Sequence, residues 1–398
     1  MFEMKKEKNM KKRMLGTAFA LMMIFTIGGG AWAEETKPAE EAKPGETTAA
    51  KPAALSIAEE IKKTLGLSVY LQGGYNYNFE NPDSGQNGLR VFDQKANTFT
   101  LDLAQLVFNR EAPVGGIGYR LKLSAGETAK YIHASGLGNP GDAFDLTEAY
   151  LTYVAPLGSG LKLQGGKFVT MTGAEVIEAK DNMNYSRGLL FNYAIPLTHT
   201  GGSVGYTFSD KVNASLYVIN GWDNFDDEGS SKTVALSVGL TPVEQVSVLV
   251  NLMNGREADL QTGIQSNRFL SDTVITIKPV KNLTFVINPD YGYQSRSAAD
   301  GSDVRWYGVA GYAKYDFSDL FSASFRAEYF KDSQGARTGT PQAAKEITLT
   351  PEFRVAKDLI VRPEYRHDWS DKEVFDSTHG TKDKKSQDTI ALGVMYTW

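Results

Sequence analysis

The chain has 398 residues, a formal net charge of −5, 41% apolar residues and no cysteine. That balance excludes the basic footprint of a nucleic-acid binder, and the missing thiols exclude disulfide scaffolds and thiolate metal centres. Aromatic residues reach 11% and glycine 39 positions, a mixture suited to strands that are apolar on one face and joined by tight turns.

The first segment carries an address. Lys5, Lys6, Lys8, Lys11, Lys12 and Arg13 precede the apolar run Leu15 to Ile27 and then Ala31-Trp32-Ala33. A basic stretch, a short apolar stretch and an A-x-A site predict a secretory signal peptide over residues 1–33. The run is too short for a spanning helix. Residues 34–53 are rich in Pro, Glu, Lys and Ala without apolar period, which predicts a flexible linker. Ser56-Ile57-Ala58-Glu59 has capping-box spacing, and Ile57, Ile61 and Leu65 share a helical face ahead of Gly66. One short helix is expected over 54–66, at the mouth of whatever follows.

From Leu67 to Trp398 the period is two. Tyr119, Leu121, Leu123 and Ala125 alternate with Arg120, Lys122 and Ser124; Ile390, Leu392, Val394, Tyr396 and Trp398 close the chain on one face. Successive side chains of a strand point to opposite faces, so each run is apolar on one side and polar on the other. The connections separate a soluble sandwich from a membrane barrel. Short links at Glu111–Gly115, Pro156–Gly160, Ser209-Asp210, Thr241-Pro242, Pro279–Lys281, Ser318-Asp319 and Ala356–Asp358 interleave with long polar ones at 80–95, 127–142, 222–229, 255–267, 295–302, 332–344 and 371–385. Short turns at one end and long loops at the other mark an outer-membrane barrel. Seven short links with both termini on one side predict an all-β, transmembrane, antiparallel up-and-down β-barrel of about sixteen strands over 67–398. Eighteen strands follow if Leu189–Ile195 is itself a strand.

Between Gly165 and Tyr206 the repeat is interrupted. Residues 172–198 carry Glu175, Glu178, Lys180, Asp181 and Arg187 and are expected to fold inward as the third outer loop. The motifs here, Gly166-Lys167-Phe168, Gly173-Ala174-Glu175, Asn184-Tyr185-Ser186-Arg187, Pro196 and His199-Thr200-Gly201, resemble the putative β-barrel porin-2 family of Gram-negative outer membranes. Gly188 departs from the small polar residue expected after the arginine. The resemblance implies an outer-membrane channel for small solutes and does not supply the solute.

By the alternation, Arg120, Lys122, Lys162, Arg326, Arg354, Arg362 and Arg366 point into the lumen, with Glu148, Glu328, Glu352, Glu364 and Asp368 among them. Fixed charges lining a pore set its ion preference. If Glu175, Glu178 and Asp181 stand opposite Arg120, Lys122 and Lys162, a transverse field crosses the constriction. If they pair with Lys180 and Arg187 instead, they hold the loop shut.

The four histidines form no HExxH, and no G-x-S-x-G or P-loop spacing occurs, so neither an enzyme nor a metal or other cofactor is expected. The function expected is passive diffusion of ions and small hydrophilic solutes across the bacterial outer membrane. The alternative is a structural or adhesive surface barrel with a plugged lumen. Expected partners are outer-membrane lipid and, through the terminal Tyr396/Trp398 strand, the barrel-assembly machinery; monomer and trimer both stay open.

Overall fold

The computed structural model describes residues 57–227, 231–259 and 262–398. The expected signal peptide and linker lie outside the described residues. The first described element is a helix, α1 (Ile57–Leu65), ended by Gly66 at φ +60°. A Cβ at Gly66 would overlap the Asn109 carbonyl, so the left-handed turn and the close approach both require glycine. The Lys62 ammonium lies 4.9 Å from the centre of the Trp398 ring, and Tyr119 Oη donates to the Leu65 carbonyl at 3.3 Å.

The strands in chain order begin with β1 (Leu67–Asn78), β2 (Thr98–Arg110), β3 (Ile117–Ala125) and β4 (Phe144–Ala155). Next come β5 (Leu161–Val169), β6 (Thr198–Ser209), β7 (Val212–Ile219) and β8 (Thr233–Val243). They continue as β9 (Val246–Ala258), β10 (Gln265–Val280), β11 (Leu283–Gln294), β12 (Val304–Asp316) and β13 (Phe321–Asp332). The last are β14 (Gln342–Ala356), β15 (Leu359–Ser370), the short β16 (Phe375–Ser377) and β17 (Gly380–Lys384), and β18 (Ser386–Thr397). Sixteen form one closed antiparallel barrel in which each pairs with its chain neighbours and β1 pairs with β18; β16 and β17 make a separate hairpin in the last outer loop. Closure leaves no unpaired edge, the condition for crossing lipid with strands.

Strand β14 shows why the sequence takes this form. Ile347 and Leu349 are exposed on the outer surface, whereas Thr348 and Thr350 are buried inside. A one-residue slip would put the threonines in lipid and the apolar residues in the lumen, so the register is fixed by both solvents at once. Exposed Tyr153, Tyr315, Phe317 and Tyr396 lie towards strand ends, where amphipathic rings settle at the lipid–water boundary.

Several expectations are corrected. Leu189–Ile195 is not a strand: Leu190–Ala194 is a single π-helical turn, which removes the eighteen-strand alternative. The expected loop 255–267 is mostly ladder, since β9 runs to Ala258 and β10 starts at Gln265. Thr241-Pro242 lies within β8, where a register shift between Leu240 and Val243 accommodates the proline.

Candidate channel constriction

The third outer connection leaves β5 after Val169 and returns at Thr198, its ends tied by Thr170 N–H donating to the Leu197 carbonyl at 3.0 Å. It carries apolar side chains at no regular period. Ile177, Tyr185, Leu189, Leu190, Phe191, Ala194 and Ile195 are all buried. Such residues have no lipid face to occupy, so they leave water only by packing inside the barrel.

Polar contacts then fix the loop to an arc of wall. At β10 and β11, Asp272 Oδ1 accepts from Gly173 N–H and Asn288 Oδ1 from Ala174 N–H, each at 3.0 Å. On β13, Arg326 meets Glu175 at 2.7 Å and the Ser186 carbonyl at 2.7 Å, and Glu328 accepts the Leu189 amide. On β15, Arg362 donates to the Ala179 carbonyl at 2.6 Å, Glu364 accepts the Tyr185 and Ser186 amides at 2.7 and 3.0 Å, and Arg366 donates to the Arg187 carbonyl at 2.7 Å. On β3, Lys122 Nζ meets Glu178 at 2.8 Å, and Gln105 of β2 donates to the same carboxylate at 2.8 Å. Trp306 Nε1 of β12 donates to the Ala194 carbonyl at 2.9 Å.

Tyr185 occupies a seat of its own. Gly74 and Gly393 are directly opposed across the seam between β1 and β18. A Cβ on Gly74 would stand 2.5 Å from the Tyr185 hydroxyl, and one on Gly393 would overlap the ring. The two glycines leave a flat recess, and Asp102 accepts the phenol hydrogen bond at its end. At Gly188 a Cβ would meet the end of the Glu328 side chain, so a larger residue there requires that carboxylate to shift.

Most of the residues singled out by sequence are ion-paired. Glu175 with Arg326, and Glu178 with Lys122, join loop to wall. Arg120 and Lys122 both meet Glu148, at 2.6 and 2.8 Å; Arg362 meets Glu352 at 2.5 Å; Arg366 meets Asp368 at 2.7 Å. Lys180 pairs with its neighbour Asp181 at 2.6 Å, and Arg354 with Glu352 at 3.1 Å, both partly in water. Arg187 bonds to the Tyr185 and Ile177 carbonyls rather than to a carboxylate. Lys162 is exposed and forms no ion pair among the described residues. The acids therefore touch their bases instead of facing them across an opening. Burial alone would raise the Glu178 carboxyl, but the Lys122 ammonium and the Gln105 amide outweigh it and hold the group at about 2.

Sequence reasoning missed a second inward segment. Between β1 and β2, Arg90 and Phe92 are buried; Arg90 meets Asp368 at 2.6 Å, and the Phe92 ring lies 5.4 Å from Phe191. The signal available was Leu89-Arg90-Val91-Phe92, three apolar residues around an arginine in a mostly polar connection. The arc from β6 to β8 has a different character. Ser203 and Gly205 face Tyr217 and Ser215 across the β6–β7 ladder, and Asn213 faces Gly239 across the β7–β8 ladder. On the loop itself Val176 and Asp181 stay exposed.

A family model described as Putative beta-barrel porin-2, OmpL-like, matches residues 64–398. No curated protein matches the sequence. Among solved structures, the chain is similar in fold to the outer membrane channel DcaP of Acinetobacter baumannii, with a TM-score of 0.56 at 11% identity over 83% of this chain and 96% of that one. It is similar to an anion-selective porin from Comamonas acidovorans, TM-score 0.58 at 11% identity over 83% and 98%. It is also similar to Pseudomonas putida OprB, TM-score 0.56 at 11% identity over 85% and 96%.

Proposed function

The chain belongs to the putative β-barrel porin-2 family of the bacterial outer membrane, and from that premise we propose that it is a passive diffusion channel for ions and small hydrophilic solutes, narrowed by the loop between β5 and β6. The observation that carries this reading is the asymmetry of the lumen. The loop is fastened to β10–β15 and β1–β3 through Arg326, Arg362, Arg366, Glu364 and Lys122. The opposite arc presents the small residues Ser203, Gly205 and Ser215 beside Tyr217. Solutes pass between that arc and the exposed loop residues Val176 and Asp181. Because Glu175, Glu178, Arg326 and Lys122 neutralise one another in contact, the passage is weakly ion-selective. The exposed Lys162 and the Lys180–Asp181 pair are the charges left to bias it.

A second reading, a surface-binding barrel with a closed lumen, draws support from the burial of Arg90 and Phe92 above the loop. Single-channel recording of the refolded protein under a salt gradient decides between them. The channel reading expects stable steps, and deletion of residues 174–190 enlarges them and reduces discrimination between ions. Silence from folded protein, with conduction appearing only in the deletion, would favour the closed barrel. Residues 1–33 act as the export signal in this reading, checked by the N-terminus of the membrane-inserted form. The Tyr396/Trp398 strand is the segment the assembly machinery reads, checked by crosslinking from those positions.

A further inference from the structure

The outer mouth holds a cavity of about 510 Å³, within the range of pockets that bind small molecules. Two guanidinium groups approach a single indole there: Arg268 and Arg337 each lie 4.9 Å from the centre of Trp222. Arg337 is also 5.3 Å from Trp306, which meets Trp222 edge to face at 6.0 Å. Stacking on indole stabilises a cation without neutralising it. Arg268 bonds to Gln294 and to the Ala258 carbonyl, and Arg337 to the Tyr193 carbonyl. Neither forms an ion pair among the described residues, unlike the lumen arginines Arg326, Arg362 and Arg366.

Carboxylates line the same cavity, and neutral donors hold Asp223 and Glu257. Asp223 accepts the Leu197 and Thr198 amides at 2.6 and 2.9 Å. Glu257 accepts the Trp222 amide at 3.0 Å and the Thr233 hydroxyl at 2.6 Å, and Asp259 accepts the Thr262 amide at 2.9 Å. The guanidinium pair and the Asp223 and Glu257 carboxylates thus face one space with no ion pair between them among the described residues. Trp222 Nε1 is buried there with no hydrogen-bond partner, an omission that costs free energy unless something accepts from it.

We propose that this cavity captures a zwitterionic solute with an apolar body, of the chemical class of an apolar or aromatic α-amino acid. The solute carboxylate lies against Arg268 and Arg337 and accepts from Trp222 Nε1, its ammonium turns to Asp223 and Glu257, and its body rests on Leu137 and Pro140. A lone anion would meet the carboxylates, and a lone cation the guanidinium pair; only a solute carrying both charges meets each with its opposite. The proposal deepens the channel reading by naming a solute class, and it is tested by binding in detergent, where its failure and the failure of conduction are separate results.

The test titrates the refolded full barrel with phenylalanine, 3-phenylpropionate and phenethylamine, following tryptophan emission. Phenylalanine is expected to saturate with at least tenfold tighter binding than either analogue. Arg268→Gln weakens phenylalanine at least tenfold. Asp223→Asn combined with Glu257→Gln also weakens phenylalanine, yet tightens 3-phenylpropionate, an inversion that a merely structural defect would not produce. Equal binding of 3-phenylpropionate or phenethylamine by the unaltered protein, or no saturable binding by any of the three, overturns the proposal.

Discussion

Replacing Arg326 by methionine tests what holds the loop in the lumen. The guanidinium lies in contact with Glu346 at 2.8 Å, Glu175 at 2.7 Å, the Ser186 carbonyl at 2.7 Å and the Ser186 hydroxyl at 3.0 Å. Methionine keeps much of the stem and removes every one of these bonds. It leaves Glu175 buried without a cation, while Glu346 keeps only Arg366 at 3.4 Å. Breaking a buried pair from one side costs about 3–5 kcal/mol. At about 1.4 kcal/mol per factor of ten, the loop's docking constant falls between about a hundredfold and a few thousandfold. The barrel itself stays closed, because its ladder of backbone bonds does not involve this side chain. Single-channel records of R326M are expected to show larger, noisier openings than the parent, and limited proteolysis should cut within 174–190. A variant that keeps the parent's conductance, noise and protease resistance while its β-signal is intact would refute the argument that this guanidinium pins the loop.

Three further outcomes follow from the same contacts. Gly393→Ala places a methyl group in the Tyr185 ring, so the ring must leave its seat; raised conductance noise with little loss of barrel stability is expected in planar bilayers. Tyr185→Phe removes the donor to Asp102 while leaving Gln72 and Thr100 on that carboxylate; thermal unfolding should register a loss of about 1–3 kcal/mol. Glu178 is held at about 2, below its ordinary 4.5. Its depressed value stabilises the docked loop above pH 4.5, and that contribution fades as pH falls from 4.5 towards 2. Noise that rises in this window, and is already present at neutral pH in Glu178→Gln, is the expected record; a parent channel equally quiet at pH 2 and pH 7 contradicts it.

The barrel was legible because lipid and water impose opposite demands on alternate residues. The loop boundaries were legible because the alternation stops at Thr170 and resumes near His199, within a residue or two of the observed strand ends at Val169 and Thr198. Where the same strands extend past the lipid, as in Gly255–Ala258 and Gln265–Asn267, both faces are wet or loop-covered and the hydropathic alternation fades; those residues therefore read as loop although the ladder continues. Partner choice was illegible for a different reason. Whether Glu175 meets Arg326 or Arg187 depends on the path of the chain through the lumen, a property of packing among residues far apart in sequence. Arg268 and Arg337 were invisible as a pair on the same ground, since only the barrel brings β10 and the loop before β14 to one indole.

The recess for Tyr185 has a consequence for assembly. Its two walls, Gly74 and Gly393, come from opposite ends of the chain and face each other only when β1 zips to β18. Closing so long a loop of chain is entropically costly and comes late in folding. The ring therefore has no resting place in any open-sheet precursor, and its docking serves as a receipt for closure. A nascent barrel should be wide and unguarded until its last seam forms, and narrow only afterwards.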